Sequence, residues 1–579
     1  MSSTSAGATE TGLRWVENTM ASLTLEEKAA QLVMPFVLGD FAPVGSSSHS
    51  RITSYVEDLK VGGVIMSVGQ PTEVAAKLNA LQEVADVPLL VAADLETGAG
   101  FRLHGAVQMP GTISLGGATD FPALMALGAA DAEELAYEMG RITAVEARAV
   151  GIHVAFAPVL DVNNNPDNPI INVRSFGDDP ERVARLGSAF VRGVEDHGAV
   201  ATGKHFPGHG DTDTDSHLSL PVISHTRERM ETVELVPFQA AVDAGMGAVM
   251  TAHIAIPALS EGVRAPVTLA PQVLEDLLRR DMGFDGLVFT DAMDMGAITR
   301  LHRGGEAAVR ALEAGSDIIL MPPSPEAAIA GIAQAVTSGR MSEERLDASV
   351  RRVLGLKARL GLERVATVDI GEVAARVGIP EHDEVARAIA ERSITVLKNV
   401  EDGREMLPLL STPTARVTSV TFRRSSDVMA GRYFNRRLGQ TYRRLATVNI
   451  DADATAADYG ALRRQVANQS LVIVSTYVAA VSYSGTVALP DETVEFIHHL
   501  RESGKPHILV SFGNPYLVTE FPQVRAYVLA WSGARVNQVA AARALLGEIE
   551  VVGRTPTAIP PLYSTGDGVM IPAKGSRER

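Results

Sequence analysis

A chain of 579 residues is too long for one hydrophobic core, so two or three domains are expected. Apolar residues make up 46% and charged residues 21%, an ordinary globular balance, and the formal charge of −17 argues against nucleic acid or an anionic membrane as partner. The absence of cysteine excludes disulfides, thiolate metal sites and cysteine nucleophiles.

Residues Met1 to Gly12 are small and polar, without the basic start and apolar stretch of a signal peptide, and no apolar run reaches membrane-spanning length. A cytoplasmic location is therefore expected, with residues 1–11 a flexible N-terminus. Eight short apolar runs then recur: Leu32–Val37, Val61–Met66, Pro88–Ala93, His153–Val159, Ala199–Gly203, Gly247–Thr251, Gly286–Thr290 and Asp317–Met321. Ala- and Glu-rich stretches of helical period, such as Ala130–Val150 and Pro180–His197, lie between them. Eight alternating units predict an α/β fold opening with a (β/α)8 TIM barrel of buried parallel strands over residues 12–364, closed by a basic amphipathic helix at Ser342–Leu362. Polar residues follow five of the strands: Asp94, Asp161, Lys204 with His205, His253 and Asp291. In a barrel those positions converge on the C-terminal mouth, where active sites sit.

Residues 365–385 mix Gly, Pro and charge and read as a linker. An open α/β sandwich domain is expected over 386–555, with strands at Arg416–Phe422, Thr447–Ile450, Leu471–Thr476, His507–Phe512 and Arg525–Trp531. Residues 556–579 read as a loosely packed tail.

The chemistry concentrates in Lys204–His217, where three histidines and three aspartates follow an apolar run on a Gly/Pro-punctuated loop. Asp215 and His217 are two residues apart, so in extended backbone they point the same way, and the carboxylate can fix the tautomer of a general acid/base histidine. A metal site is the competing reading. His205 and His209 have the spacing of a helical zinc pair, but Pro207 and Gly208 forbid that helix. Asp211-x-Asp213-x-Asp215 resembles the start of a calcium loop, yet its sixth and twelfth positions are Ser216 and Val222 in place of Gly and Glu. No metal or cofactor is therefore expected, and Asp211 and Asp213 are read as capping the loop's own amides. At Phe289–Met295, Asp291 follows a strand and should stand at the mouth as nucleophile, base or anchor, whereas Asp294 reads as the start of the next helix.

Lys204-His205-Phe206-Pro207-Gly208-His209-Gly210 with Asp215-Ser216-His217 resembles glycoside hydrolase family 3, in its β-N-acetylglucosaminidase branch. Thr290-Asp291 with Met293, Arg174-Ser175-Phe176-Gly177, Leu25-Glu26-Glu27-Lys28 with Gln31, and Ser349–Leu354 match its barrel. Ser393–Asn399 and Ser511–Tyr516 echo its second domain. The resemblance implies Asp291 as nucleophile and Asp215–His217 as acid/base dyad. It implies Asp94, Arg102, Arg174, Lys204 and His205 as sugar-binding residues, while Asp161 and His253 line the site by their strand-end positions. The chain departs from the family's Asp-x-Glu-Gly-Gly-Arg-Val-x-Arg: after Asp94 stand Leu95-Glu96-Thr97-Gly98-Ala99-Gly100-Phe101-Arg102, which leaves the choice of sugar open.

The expected activity is a retaining exo-β-N-acetylhexosaminidase acting on short carbohydrates of muropeptide or chitin type; an aromatic content of 5% disfavours long stacking clefts. A phosphorylase or β-glucosidase on the same scaffold is the alternative. A non-catalytic sugar-binding protein would need neither nucleophile nor dyad.

Overall fold

The computed structural model describes residues 9–108, 113–302, 304–401, 403–409, 414–479 and 487–574. Its first half is a closed ring of parallel strands. The first strand is split at Pro35 into Val33–Met34 and Phe36–Val37. From Phe36–Val37 the sheet runs through Gly63–Met66, Leu90–Ala93, Val154–Ala155, Val200–Phe206, Ala248–Thr251 and Leu287–Phe289. A parallel bridge from Phe289 to Ile318 leads to Ile319–Leu320, which pairs with Val33–Met34 and completes the ring. Val, Ile, Leu and Ala fill these strands because both faces are covered, by helices outside and by the barrel core inside. Val200–Phe206 is buried along its whole length and runs through Lys204 and His205, so these two polar residues belong to the strand and do not follow it as the sequence suggested.

The connecting helices carry local stop and start signals. Pro180–Glu195 begins with proline behind Asp179, whose carboxylate accepts the amides of Glu181 and Arg182. The closing helix Glu343–Arg359 is capped by the Ser342 hydroxyl on the Arg345 amide. This helix secures the eighth strand through buried Asp317, which accepts from Arg279 NH2 at 2.6 Å, Ser349 Oγ at 2.6 Å and Arg352 NH1 at 3.1 Å. It secures the first strand through Lys357, whose Nζ donates to Gln31 Oε1 at 2.7 Å. A two-stranded antiparallel hairpin, His104–Gln108 with Ile113–Gly117, is inserted after the third strand and was not anticipated.

The second sheet has five parallel strands in the order Ala526–Leu529, His507–Ser511, Leu471–Thr476, Val417–Arg423 and Leu445–Asp451. Thr395–Glu401 joins antiparallel beside Ala526–Leu529, and Arg404–Glu405 adds to its outer side. Helices Arg432–Thr441, Ala456–Val466, Asp491–Glu502 and Arg535–Leu546 connect the strands, in the open sandwich arrangement expected.

Two segments differ from their sequence reading. Helix Pro380–Ser393 begins inside the expected linker, and its His382 donates to the buried Glu146 carboxylate of the barrel at 2.7 Å. Residues 556–574 are packed: Ile559 and Ile571 are buried, and Asp178 accepts from the Ala558 amide at 2.7 Å and the Thr565 hydroxyl at 3.0 Å. Gly/Pro content reads as looseness in a sequence, but here the tail bonds to both halves: the Pro556 carbonyl accepts the Asp178 amide at 3.1 Å, and the Val569 amide donates to the Val396 carbonyl at 2.7 Å. One continuous apolar cluster spans both halves, from Phe121 and Phe176 in the first to Phe512 and Trp531 in the second.

Two stability outcomes follow. Asp317→Ala leaves Arg279 and Arg352 without their buried counter-ion and is expected to cost about 3–5 kcal/mol in urea unfolding; a loss under ~1 kcal/mol would contradict this role. Burial pushes the Lys357 ammonium down to about 7, its Nζ bonded to the neutral Gln31 amide oxygen. Its unfolded value is near 10.5, so the native state binds fewer protons between these values and stability rises with pH across that window. Lys357→Met should flatten that rise, read as urea midpoints at several pH values.

Candidate active site

The strands deliver their polar ends to one cavity of about 670 Å³ at the barrel mouth. One wall is a chain of alternating charges. Arg102 NH2 lies 2.8 Å from Asp94 Oδ2, and Lys204 Nζ reaches Asp94 Oδ1 at 2.9 Å and Glu96 Oε1 at 2.7 Å. Arg174 grips Glu96 with two parallel bonds, Nε to Oε2 at 2.8 Å and NH2 to Oε1 at 2.7 Å. Burial alone would raise both carboxyls. Lys204 and Arg102 outweigh it and hold Asp94 at about 2, while Arg174 and Lys204 hold Glu96 well below the usual range. The reciprocal effect raises Lys204 and Arg174 against their own desolvation. Asp94, Glu96, Lys204 and Arg174 are therefore ionised at neutral pH, and with the Arg102 guanidinium they present fixed donors and acceptors suited to sugar hydroxyls.

Glu96 was not among the site residues expected, although it joins Lys204 to Arg174. The signal was present: Glu96 is two residues beyond Asp94, and alternate residues of extended backbone face the same way.

His205 stands beside this wall, Nε2 at 3.5 Å from Arg174 NH2. Its Nδ1 is 2.7 Å from Asp161 Oδ2, and Asp161 also accepts the amides of His205 and His209. Asp161 is fully buried and does not face the cavity, so it orients His205 in place of lining the site as the sequence suggested. His253 is likewise behind the wall: its Nε2 donates to the Ala292 carbonyl at 3.0 Å, and its Nδ1 lies 2.8 Å from Thr268 Oγ1. Desolvation lowers the His253 imidazole and favours its neutral form.

Asp291 follows the seventh strand and faces the cavity, with Oδ1 accepting the Ala292 amide at 2.7 Å. Burial works to raise its carboxyl, but His205, His253, the Ala292 amide and Lys204 together hold it below the ordinary value. It is an ionised carboxylate, the form in which a carboxylate can act as a nucleophile. Asp294 also faces the cavity, two residues ahead of helix Gly296–Thr299, so it does not open that helix. Burial, together with repulsion from Asp291, raises its carboxyl.

On a different loop, His217 Nδ1 lies 2.8 Å from Asp215 Oδ1, which also accepts the His217 amide at 2.8 Å. Asp215 is buried, and His217 reaches the cavity. His209 braces the loop from within, Nδ1 at 3.0 Å from Thr212 Oγ1 and Nε2 at 3.0 Å from Ser216 Oγ. Burial, with His205 nearby, pushes it down to about 4, so it stays neutral. Gly210 is required where the loop crosses the barrel, since a Cβ there would lie 1.7 Å from the Val162 carbonyl oxygen. Asp211 pairs with His225 at 2.6 Å and Asp213 accepts from the Thr214 hydroxyl, so neither caps an amide as expected.

The aspartates and histidines that could have shared a metal thus have separate partners. Among the described residues, no group of three or more His, Asp or Glu is placed to hold one ion. Ala479, from the second sheet's loops, also lines the cavity, so the second half touches the site.

Residues 24–356 match the family described as Glycosyl hydrolase family 3 N terminal domain. The beta-N-acetylglucosaminidase/beta-glucosidase of Cellulomonas fimi is 30% identical over 565 residues, covering 94% of this chain and 95% of that protein. Among solved structures, a glycoside hydrolase family 3 beta-N-acetylglucosaminidase from Paenibacillus sp. str. FPU-7 is 36% identical with a TM-score of 0.81, covering 94% of this chain and 100% of that one. The beta-glucoside phosphorylase BglX, bound to 2FGlc, is 25% identical with a TM-score of 0.83, covering 95% and 97%.

The ion-pair wall has a direct test. Glu96→Ala leaves buried Lys204 and half-buried Arg174 facing each other without the carboxylate between them and is expected to lower kcat/KM on an aryl glycoside by roughly 100-fold or more. Glu96→Gln should fall between it and wild type. Unchanged steady-state kinetics in both variants would remove Glu96 from the site.

Proposed function

The chain belongs to glycosyl hydrolase family 3 and is a glycoside hydrolase acting on carbohydrate; from that premise we propose a retaining exo-β-N-acetylhexosaminidase that releases terminal N-acetylglucosamine from short glycosides. The observation that carries this reading is that Asp291 and the Asp215-held His217 face one cavity from two different loops. The ion-paired wall of Asp94, Glu96, Arg102, Arg174 and Lys204 binds the hydroxyls of the terminal sugar. Asp291 then attacks its anomeric carbon.

As the glycosidic bond breaks, His217 donates a proton to the departing oxygen through Nε2, because Asp215 occupies Nδ1. The sugar is left as an ester on Asp291. His217, now neutral, takes a proton from the incoming water, which attacks the same carbon from the face the leaving group vacated. Two inversions give net retention. Asp215 keeps the imidazole in one tautomer and stabilises the imidazolium that returns at the end of the cycle.

A phosphorylase is the second reading, favoured by the likeness to BglX and by the chemistry of the base. After donating its proton, an imidazole is neutral and repels an anionic acceptor less than a carboxylate would. Phosphate in place of water would release the sugar as its 1-phosphate.

Initial rates on para-nitrophenyl N-acetyl-β-glucosaminide and the matching β-glucoside, with and without phosphate, separate these readings. The expected result is preference for the N-acetyl compound, indifference to phosphate, and the β-anomer as first product by proton NMR. His217→Ala should lower the rate by roughly 10²–10⁴-fold. First appearance of the α-anomer would contradict retention, and phosphate-dependent formation of sugar 1-phosphate would replace hydrolysis by phosphorolysis.

A further inference from the structure

The nucleophile and the acid/base stand on different loops, and nothing in either loop alone fixes the distance between them. They meet at Gly296. Its amide donates to the His217 carbonyl oxygen at 3.2 Å. A Cβ at this position would lie 2.7 Å from the His217 oxygen, 2.9 Å from the Leu218 oxygen and 3.2 Å from the Leu218 carbonyl carbon. All three are backbone atoms, so no side-chain rotation can relieve the contact.

Both partners of this contact are tied in by further hydrogen bonds. On the nucleophile side, the Met293 amide donates to the Leu320 carbonyl at 2.9 Å, and His253 holds the Ala292 carbonyl. On the acid/base side, Asp215 accepts the His217 amide through its carboxylate, and its carbonyl accepts the amides of Leu218 at 2.9 Å and Ser219 at 3.1 Å. The Asp211–His225 pair closes the stem of the same segment.

We propose that Gly296 is a positioning residue for the acid/base: the bare glycine backbone lets the His217 turn seat directly on the loop that follows Asp291, and this seating sets the acid-to-nucleophile distance. The inference rests on the assignment of His217 as acid/base and Asp291 as nucleophile. A methyl group at position 296 has to lift the turn as a unit, by somewhat under 1 Å, and misplacement on that scale costs about 10²-fold in a proton-transfer step. Asp291 stays in place, because its own loop is tied to the barrel.

The test separates proton transfer from nucleophilic attack. Wild type, Gly296→Ala, His217→Ala and the double variant are assayed on two N-acetyl-β-glucosaminides. The p-methoxyphenyl glycoside needs a proton on its leaving group. The 2,4-dinitrophenyl glycoside in the presence of azide needs neither acid nor base, since azide resolves the intermediate unassisted.

Gly296→Ala is expected to lose about 10- to 100-fold on the first substrate and to stay within about threefold of wild type on the second. Added to His217→Ala, it should cost nothing more on either. Full activity of Gly296→Ala on the p-methoxyphenyl glycoside, or equal losses on both substrates, would overturn the inference.

Thermal unfolding checks that the variant folds. Should it not, His225→Ala frees the stem of the turn without adding bulk and is expected to show the same leaving-group signature; its absence there would overturn the inference equally. If His217→Ala itself loses both substrates alike, the acid/base assignment fails and this inference with it. A selective loss in His217→Ala without one in Gly296→Ala sinks the positioning role alone.

Discussion

Five charged side chains are gathered at the barrel mouth, Lys204 and Glu96 buried and the other three half-buried, and they can be because their signs alternate along Arg102, Asp94, Lys204, Glu96 and Arg174. An unpaired charge at that depth would shift its pKa until it was neutral. Each carboxylate instead sits between two cations, and the central lysine between two carboxylates. The parallel barrel imposes this problem by bringing polar strand ends to one place, and the pairing turns it into a rigid set of donors and acceptors. Rigidity matters because hydroxyl recognition depends on donors that do not reorganise when the sugar arrives.

The same logic orders the histidines. His205 is held by buried Asp161 and faces the cavity beside Arg174. His209 lines the cavity and His253 does not, but burial favours the neutral ring in each, and their nitrogens brace the loop that carries His217 and the peptide after Asp291. His217 also reaches the cavity with a carboxylate at its Nδ1, but it is more exposed than His205, whose Nε2 lies beside Arg174. Of four histidines near the mouth, surroundings and not spacing decide which one can exchange protons with a substrate.

Much of this was legible in the sequence. The apolar runs that begin the barrel strands are continuous because both faces are buried, so they stand out without any alternation. The strand-end position of Asp291 and the two-residue spacing of Asp215 and His217 were enough to bring those residues forward. Glu96 was passed over because a carboxylate beyond a strand reads as surface charge until its partners at Arg174 and Lys204, far along the chain, are brought beside it. Asp161 and His253 looked like lining residues because a strand end gives a location but not a facing direction. Asp211 lost its expected capping role to His225, a pairing across fourteen residues that no local pattern announces. The tail failed for another reason: Gly and Pro content describes backbone preference, whereas the packing of residues 556–574 follows from bonds to Asp178 in the first half and to Val396 in the second.

The central claim is that Asp291 carries the sugar covalently during turnover. A 5-fluoro-N-acetyl-β-glucosaminyl fluoride slows the second step and leaves the intermediate to accumulate; intact-mass and peptide mass spectrometry then locate it. The account predicts one added glycosyl unit per chain, on the peptide that contains Asp291, and none in Asp291→Asn. An adduct on another carboxylate, or full turnover with no adduct and an inverted product, would contradict it.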